Sequence, residues 1–190
     1  RGASRYMDER FRPAFEMELD AMKSVKHDYG LDNLQLMVPF CRTPEEGSMV
    51  TGLLNEKGVG PASGTDLFVM VELPSNVIEA DRFIEMMDLS GGSIGSNDLV
   101  QTVYAVSRDD LEGYQNPIDA RSPSVKAMIR DIVGKFNSKG MEIGICGQAP
   151  SDFPDEFPAF LVDCGITSIS VTPDTAVAVR GTVAEAEKRA

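Results

Sequence analysis

Five short apolar runs divide the chain, and each gives way to a helical pattern. The runs fall at residues 34–40, 67–74, at the start of the stretch 92–101, at 141–145 and at 168–171. Regular alternation of buried strand and helix leaves few architectures open, because it demands crossover connections and therefore a parallel sheet. Each run is apolar along its length and polar only where it ends. That is how strands of a (β/α)8 TIM barrel read, since the C-terminal ends of the strands carry the loops that do chemistry. A complete barrel takes ~250 residues and this chain has 190. The expectation is therefore an α/β fold forming the C-terminal part of a (β/α)8 barrel, about strands four to eight. The chain opens on Arg1 within what reads as a running motif, so a fragment, a split chain or a domain excised from a longer protein is expected.

The connecting segments support this division. Apolar positions Phe11, Phe15, Leu19, Met22 and Val25 recur at helical spacing. The chain's single histidine, His27, lies at that helix's end, where a cation is favoured without any chemistry. Thr43-Pro44-Glu45-Glu46 supplies an N-cap, a proline at the first helical position and acids in the first turn, and the helix should run to about Gly58. Residues 58–64, rich in glycine, read as the loosest loop in the chain. Ser75-Asn76 opens a helix through Met87; further helices are expected from about Leu99, at 123–137, at 157–164 and at 182–189.

Composition narrows the function. A net charge of −12 argues against nucleic acid and against anionic membrane surfaces, which both want basic patches. No apolar run approaches the ~18 residues needed to span a bilayer. The three cysteines, Cys41, Cys146 and Cys164, lack zinc-type spacing and point to free thiols in a reducing cytoplasm.

Three strand ends carry candidate chemistry: Glu72, Asn97-Asp98 and Cys146. Glu72 and Asp98 end neighbouring strands, close enough to share one divalent cation, with Asn97 free to offer a donor and an acceptor to a substrate. A lysine or arginine on a facing loop is the alternative partner for the carboxylates, and Asn97-Asp98 can equally be a turn and N-cap. Cys146, in Gly-Ile-Cys-Gly-Gln, is either inert filler or a reachable thiol that exchanges protons.

Five motifs in order carry a family resemblance: RGASRY at 1–6, MVPFCRT at 37–43, ELPSN at 72–76, GSNDL at 95–99 and GICGQAPSD at 144–152. Across nearly the whole chain this resembles the phosphoenolpyruvate-utilising enzymes. The Gln-Ala-Pro-Ser after the cysteine favours their pyruvate, water dikinase (synthase) branch over the pyruvate phosphate dikinase and phosphotransferase-system enzyme I types. The resemblance implies that Glu72 and Asp98 ligate Mg2+ or Mn2+ and that Glu72, Gly95, Ser96, Asn97, Asp98 and Arg108 bind substrate. It gives Cys146 the acid/base role at the methyl carbon of pyruvate and Arg108 the transferred phosphate. Residues 1–190 would then be the C-terminal portion of a pyruvate/phosphoenolpyruvate-binding barrel. The first barrel strands, the phosphohistidine domain and the ATP-grasp domain would lie upstream in a homodimeric parent, and His27 would not be the phosphohistidine.

The chain departs from the family pattern in three places. The stretch around Leu89-Ser90-Gly91-Gly92 is slightly longer, Val100 stands where Thr is usual, and Ser107 stands before Arg108 where Asp is usual. A non-catalytic barrel module used for docking is the competing class, and a metal-dependent carbon–carbon lyase of the wider barrel superfamily is a weaker one. Retention of Glu72, Asp98 and Cys146 together favours the enzyme.

Overall fold

A computed structural model describes residues 2–107 and 118–189. Its elements are α1 (Ser4–Met7), α2 (Arg12–His27), β1 (Gln35–Val38), α3 (Pro44–Glu56), a 3-10 turn (Pro61–Ser63), β2 (Asp66–Val71), α4 (Pro74–Ile78) and α5 (Ala80–Met87). They continue with β3 (Gly91–Gly95), α6 (Ser96–Tyr104), α7 (Pro123–Ser138), β4 (Glu142–Cys146), α8 (Ala149–Asp152), α9 (Phe157–Cys164), β5 (Ser168–Ile169) and α10 (Ala176–Glu187). The five strands form one sheet in the order β1-β2-β3-β4-β5, and every pair is parallel. Parallel strands placed side by side in chain order, with helices between them, are the arrangement of a partial (β/α)8 barrel.

The two faces of the sheet are unequal. Leu36, Val38, Leu67, Val69, Val71, Ile94, Ile143 and Ile145 point to one face and are buried beneath the helices. Phe136 of α7 lies directly behind the strands, its ring about 3.1 Å from where a side chain on Gly92 would begin. The opposite face carries Gln35, Met37, Phe68, Ser93, Gly144 and Ser168, and these line a hollow of about 390 Å3. A barrel covers only its outer face with helices, and its inner face is filled from the strands themselves. The polar, small residues of the second face are therefore the concave interior, and it opens at the C-terminal ends of the strands.

Several local features match the sequence reasoning. Thr43 caps α3, its Oγ1 accepting the N–H of Glu46 at 3.2 Å, while Glu46 Oε2 accepts the N–H of Arg42 at 2.9 Å. These bonds occupy donors that helix starts leave orphaned. His27 is the exposed last residue of α2.

Others differ. The loop at 58–64 is not loose: Val59 and Gly60 are buried. Asn55 Oδ1 accepts the N–H of Ala62 at 3.0 Å, and Lys26 Nζ donates to the carbonyl of Ser63 and to Thr65 Oγ1. Glycine content read as looseness; the tethers come from the end of α3 just before the loop and from α2, far away in sequence. The helix expected from Ser75 to Met87 is two helices broken at Glu79. The last helix begins at Ala176, six residues ahead of Thr182. Helix α6 begins at Ser96 and not near Leu99, which changes the setting of Asn97 and Asp98. No helix among the described residues is long and apolar enough to cross a membrane.

Phe136 is 1% exposed at the junction of α7 with the sheet. Phe136→Ala should lower stability by about 3–5 kcal/mol, as large-to-small changes at packed aromatics do, measured as a shift in the urea midpoint at unchanged slope.

Candidate active site at the strand ends

The register sets the site. Val71 pairs with Ile94 and Gly95 pairs with Cys146, so Glu72 and Cys146 flank Gly95 at one level on the inner face. A Cβ on Gly95 would lie 3.1 Å from Glu72 Cβ and 3.2 Å from Glu72 Oε2. Only a residue without a side chain lets the carboxylate lie across this strand end.

Glu72 is held from three sides. Its Oε1 accepts the N–H of Phe40 at 2.6 Å, and Phe40 adopts a left-handed backbone with φ +47°, unusual for a bulky residue. Asn76 Oδ1 accepts the N–H groups of Glu72 and Leu73 at 3.2 and 3.0 Å, while its Nδ2 donates to the carbonyl of Cys41 at 2.7 Å. Thr102 Oγ1, on α6, lies 2.9 Å from the backbone carbonyl of Glu72. The carboxylate is thus held by the segment after β1 and its backbone by α4 and α6, at only 3% exposure.

Burial pushes the Glu72 carboxyl up to about 7; the Phe40 N–H pulls it down in part, and the negative charge of Asp98 adds to the rise. Asp98 sits in the first turn of α6, where the helix N-terminus favours an anion, and its Oδ1 accepts from Gln101 Nε2 at 3.0 Å. The two carboxylates feel each other, and no lysine or arginine among the described residues offsets the burial of Glu72. A structural ion pair with a facing basic side chain, the bland alternative for these acids, is therefore absent among the described residues. Nor are Asn97-Asp98 a turn or an N-cap, because β3 enters α6 directly at Gly95 and no side chain caps it.

Ser96 and Asn97 face β4. Ser96 is fully buried and its Oγ has no hydrogen-bond partner among the described residues. Gly147 lies against it with φ +147°, and a Cβ there would fall 2.1 Å from Ser96 Oγ. The glycine after Cys146 is thus required both by its backbone and by the close approach of β3's end. Asn97 exchanges contacts with Gln148: its Oδ1 accepts the Gln148 N–H at 3.3 Å and its Nδ2 lies 3.4 Å from Gln148 Oε1. Cys146 is half-buried, with Sγ 3.3 Å from Ser93 Oγ and 3.4 Å from Met70 Sδ. Cys41 is buried with its thiol pushed up to about 12, chiefly by desolvation, which fits packing rather than chemistry. Arg108 lies outside the described residues.

The structure thus brings together Glu72, Gly95, Ser96, Asn97, Asp98 and Cys146. Sequence reasoning missed Phe40, Asn76, Thr102, Met70 and Ser93 around them. Asn76 read as a helix opener, and nothing in a linear motif reveals that its amide reaches Cys41.

Comparison with known proteins shows the family of the chain. A family model described as "PEP-utilising enzyme, PEP-binding domain" matches residues 1–188. The chain belongs to the PEP-utilising enzymes. It is 45% identical over its whole length to a phosphoenolpyruvate synthase of Aquifex aeolicus and 46% identical over 99% of its length to one of Synechocystis, spanning 22% and 23% of those proteins. It is 39% identical over 99% of its length to a phosphoenolpyruvate synthase of Escherichia coli, spanning 23% of it. A crystal structure of an HpcH/Hpal aldolase/citrate lyase family protein from Burkholderia cenocepacia matches 84% of the chain and 67% of its own at TM-score 0.53 and 15% identity, a likeness of fold.

In this PEP-binding domain the raised carboxyl of Glu72 has a consequence for stability. Its folded value lies above its unfolded one, so the folded state binds the extra proton between about pH 4.5 and 7, and stability falls as pH rises through that window. Glu72→Gln should remove this loss. In EDTA the variant should exceed the parent at pH 8 by on the order of 2 kcal/mol and lose that advantage at pH 4, measured by urea unfolding at both values.

Proposed function

We propose that the strand ends form the pyruvate/phosphoenolpyruvate half-site of a pyruvate, water dikinase, a phosphoenolpyruvate synthase. The observation that carries this is the pair of interacting carboxylates, Glu72 and Asp98, facing a half-buried thiol across Gly95 without a basic partner among the described residues. The described residues hold no cluster of three or more His, Cys, Asp and Glu side chains suited to a metal. Two carboxylates nevertheless suit Mg2+ or Mn2+, which keep water and substrate oxygens in their other positions. Such a cation would supply Lewis-acid stabilisation to the carboxylate and enolate oxygens of the substrate.

The chain's own groups would divide the remaining work. Glu72 and Asp98 hold the cation, and Ser96 offers its orphaned hydroxyl to a substrate oxygen beside the backbone of Gly95 and Asn97. Cys146, as thiolate, takes a proton from the methyl group of pyruvate, and as thiol returns it. Asn97 with Gln148 holds the β3 and β4 ends in register around that proton's path, and Arg108 grips the transferred phosphate. The full reaction, ATP + pyruvate + water to AMP + phosphoenolpyruvate + phosphate, would need a phosphohistidine and a nucleotide site elsewhere in a longer, homodimeric polypeptide. The sheet's two free edges would be closed by the remaining barrel strands of that polypeptide. Residues 1–190 would be its pyruvate-side domain, working in the cytoplasm.

Exchange of pyruvate methyl hydrogens with solvent tests this reading without requiring nucleotide. In the full-length protein exchange should need Mg2+ or Mn2+. Asp98→Asn and Cys146→Ser should each lower it by about 100-fold or more, the scale of a lost general acid–base, while the Cys146 variant still binds pyruvate. Undiminished exchange in the Cys146 variant would mean that the proton travels through another group. Exchange in none of the proteins would favour a docking module.

A further inference from the structure

We infer that Thr102 is a positioning residue for the cation site, its hydroxyl fastening the two carboxylate-bearing segments, Glu72 after β2 and Asp98 in α6, to one another. The inference rests on the cation-binding role proposed above for Glu72 and Asp98, and adds what sets their spacing. Glu72 lies just past the last residue of β2, and Asp98 lies in the first turn of α6. The register of β2 with β3 ends at Val71 and Ile94, so beyond that pair the two carboxylates travel on separate elements. Thr102 stands one helical turn past Asp98. Its Oγ1 is 2.9 Å from the carbonyl of Glu72, 3.0 Å from that of Asp98 and 3.1 Å from that of Leu99.

A hydroxyl has a single proton to give, and here three carbonyls lie within reach of it. Those of Asp98 and Leu99 sit in the body of a helix, where each accepts the N–H four residues on. The carbonyl of Glu72 lies beyond the end of β2, at a residue only 3% exposed, and a buried acceptor left without a donor is costly. The proton therefore goes to Glu72, and the hydroxyl ties the end of β2 to the second turn of α6. The other contacts of the two carboxylates cannot do this. Gln101 steadies the Asp98 carboxylate from within the same helix, and Phe40 steadies the Glu72 carboxylate from the segment after β1. Each moves with its own ligand, and neither fixes one carboxylate against the other. That spacing matters for the ion. Mg2+ demands near-octahedral oxygens at about 2.0–2.1 Å, whereas Ca2+ accepts oxygens at about 2.3–2.6 Å in a flexible arrangement. An α6 loosened from β2 should therefore lose Mg2+ more readily than Ca2+.

The test compares Thr102→Val, Thr102→Ala and Thr102→Ser with the parent in the full-length protein, without nucleotide and with pyruvate present. Binding of Mn2+ is read from the electron paramagnetic resonance signal of the free ion, with Asp98→Asn marking the site, and Mg2+ and Ca2+ are measured by displacement of Mn2+. Valine and alanine both lack the hydroxyl, and each should weaken Mn2+ and Mg2+ by about 10-fold, the scale of a lost partner behind a metal ligand. Ca2+ should weaken far less, and serine should bind all three ions as the parent does. Parental Mn2+ affinity in the valine and alanine variants overturns the inference while leaving the cation site standing. A loss confined to alanine, a loss that serine does not restore, or an equal loss for Mg2+ and Ca2+ overturns it as well, since each marks packing alone. A parent that binds no Mn2+ sensitive to Asp98→Asn overturns the cation-site reading and this inference with it.

Discussion

A carboxylate held almost out of water at the end of an apolar strand is expensive unless something stabilises its charge. Glu72 is that carboxylate, and the surrounding structure is arranged to hold it there. Phe40 takes a left-handed backbone conformation while donating its N–H to Oε1. Asn76 ties the backbone after β2 to the end of β1, and Thr102 reaches back from α6 to the Glu72 carbonyl. One neutral hydrogen bond to the carboxylate is not enough to compensate its desolvation, and the neighbouring Asp98 makes matters worse. A site that concentrates uncompensated negative charge in a fixed geometry is suited to a cation. The same electrostatics that raise the Glu72 carboxyl would favour a bound cation.

The sheet explains how such a site can be precise. Parallel strands in chain order bring their C-terminal ends to one level, so the register alone sets Glu72, Gly95 and Cys146 in a row. Small residues then decide how close they come. Gly95 admits the carboxylate and Gly147 admits Ser96. Either glycine replaced by alanine would push one strand end away from its neighbour. The outer face, by contrast, is ordinary core: branched aliphatics under helices, with Phe136 behind β3 and β4. Stability and function are thereby separated onto the two faces of the same strands.

Much of this was legible in the sequence, for physical reasons that differ by element. The strands were visible because a sheet covered by helices keeps apolar residues along its strands, and α3 because Thr43 and Pro44 mark a helix start by local chemistry alone. Glu72, Asp98 and Cys146 stood out as polar residues at the ends of such runs. What failed was whatever depended on distant partners. The start of α6 was misplaced because Gly-Ser-Asn-Asp has the composition of a loop, yet β3 feeds the helix without one. The glycine-rich segment after α3 is anchored in part by Lys26 of α2, which no local reading could supply. Asn76 and Ser93 look like a helix opener and a strand filler until the fold puts Cys41 and Cys146 beside them.

The central claim is that the Glu72 carboxyl, raised by burial and by the neighbouring Asp98, forms part of a cation site. Carbon-13 NMR of the protein labelled at glutamate carboxyls measures this directly, with Glu72→Gln assigning the resonance. Without divalent cation the Glu72 carboxyl should titrate near 7. With Mg2+ and pyruvate present, that titration should move to markedly lower pH, because a bound cation favours the ionised form. A Glu72 carboxyl that titrates in the ordinary carboxylate range, or one whose titration is indifferent to Mg2+ with pyruvate, would contradict the account.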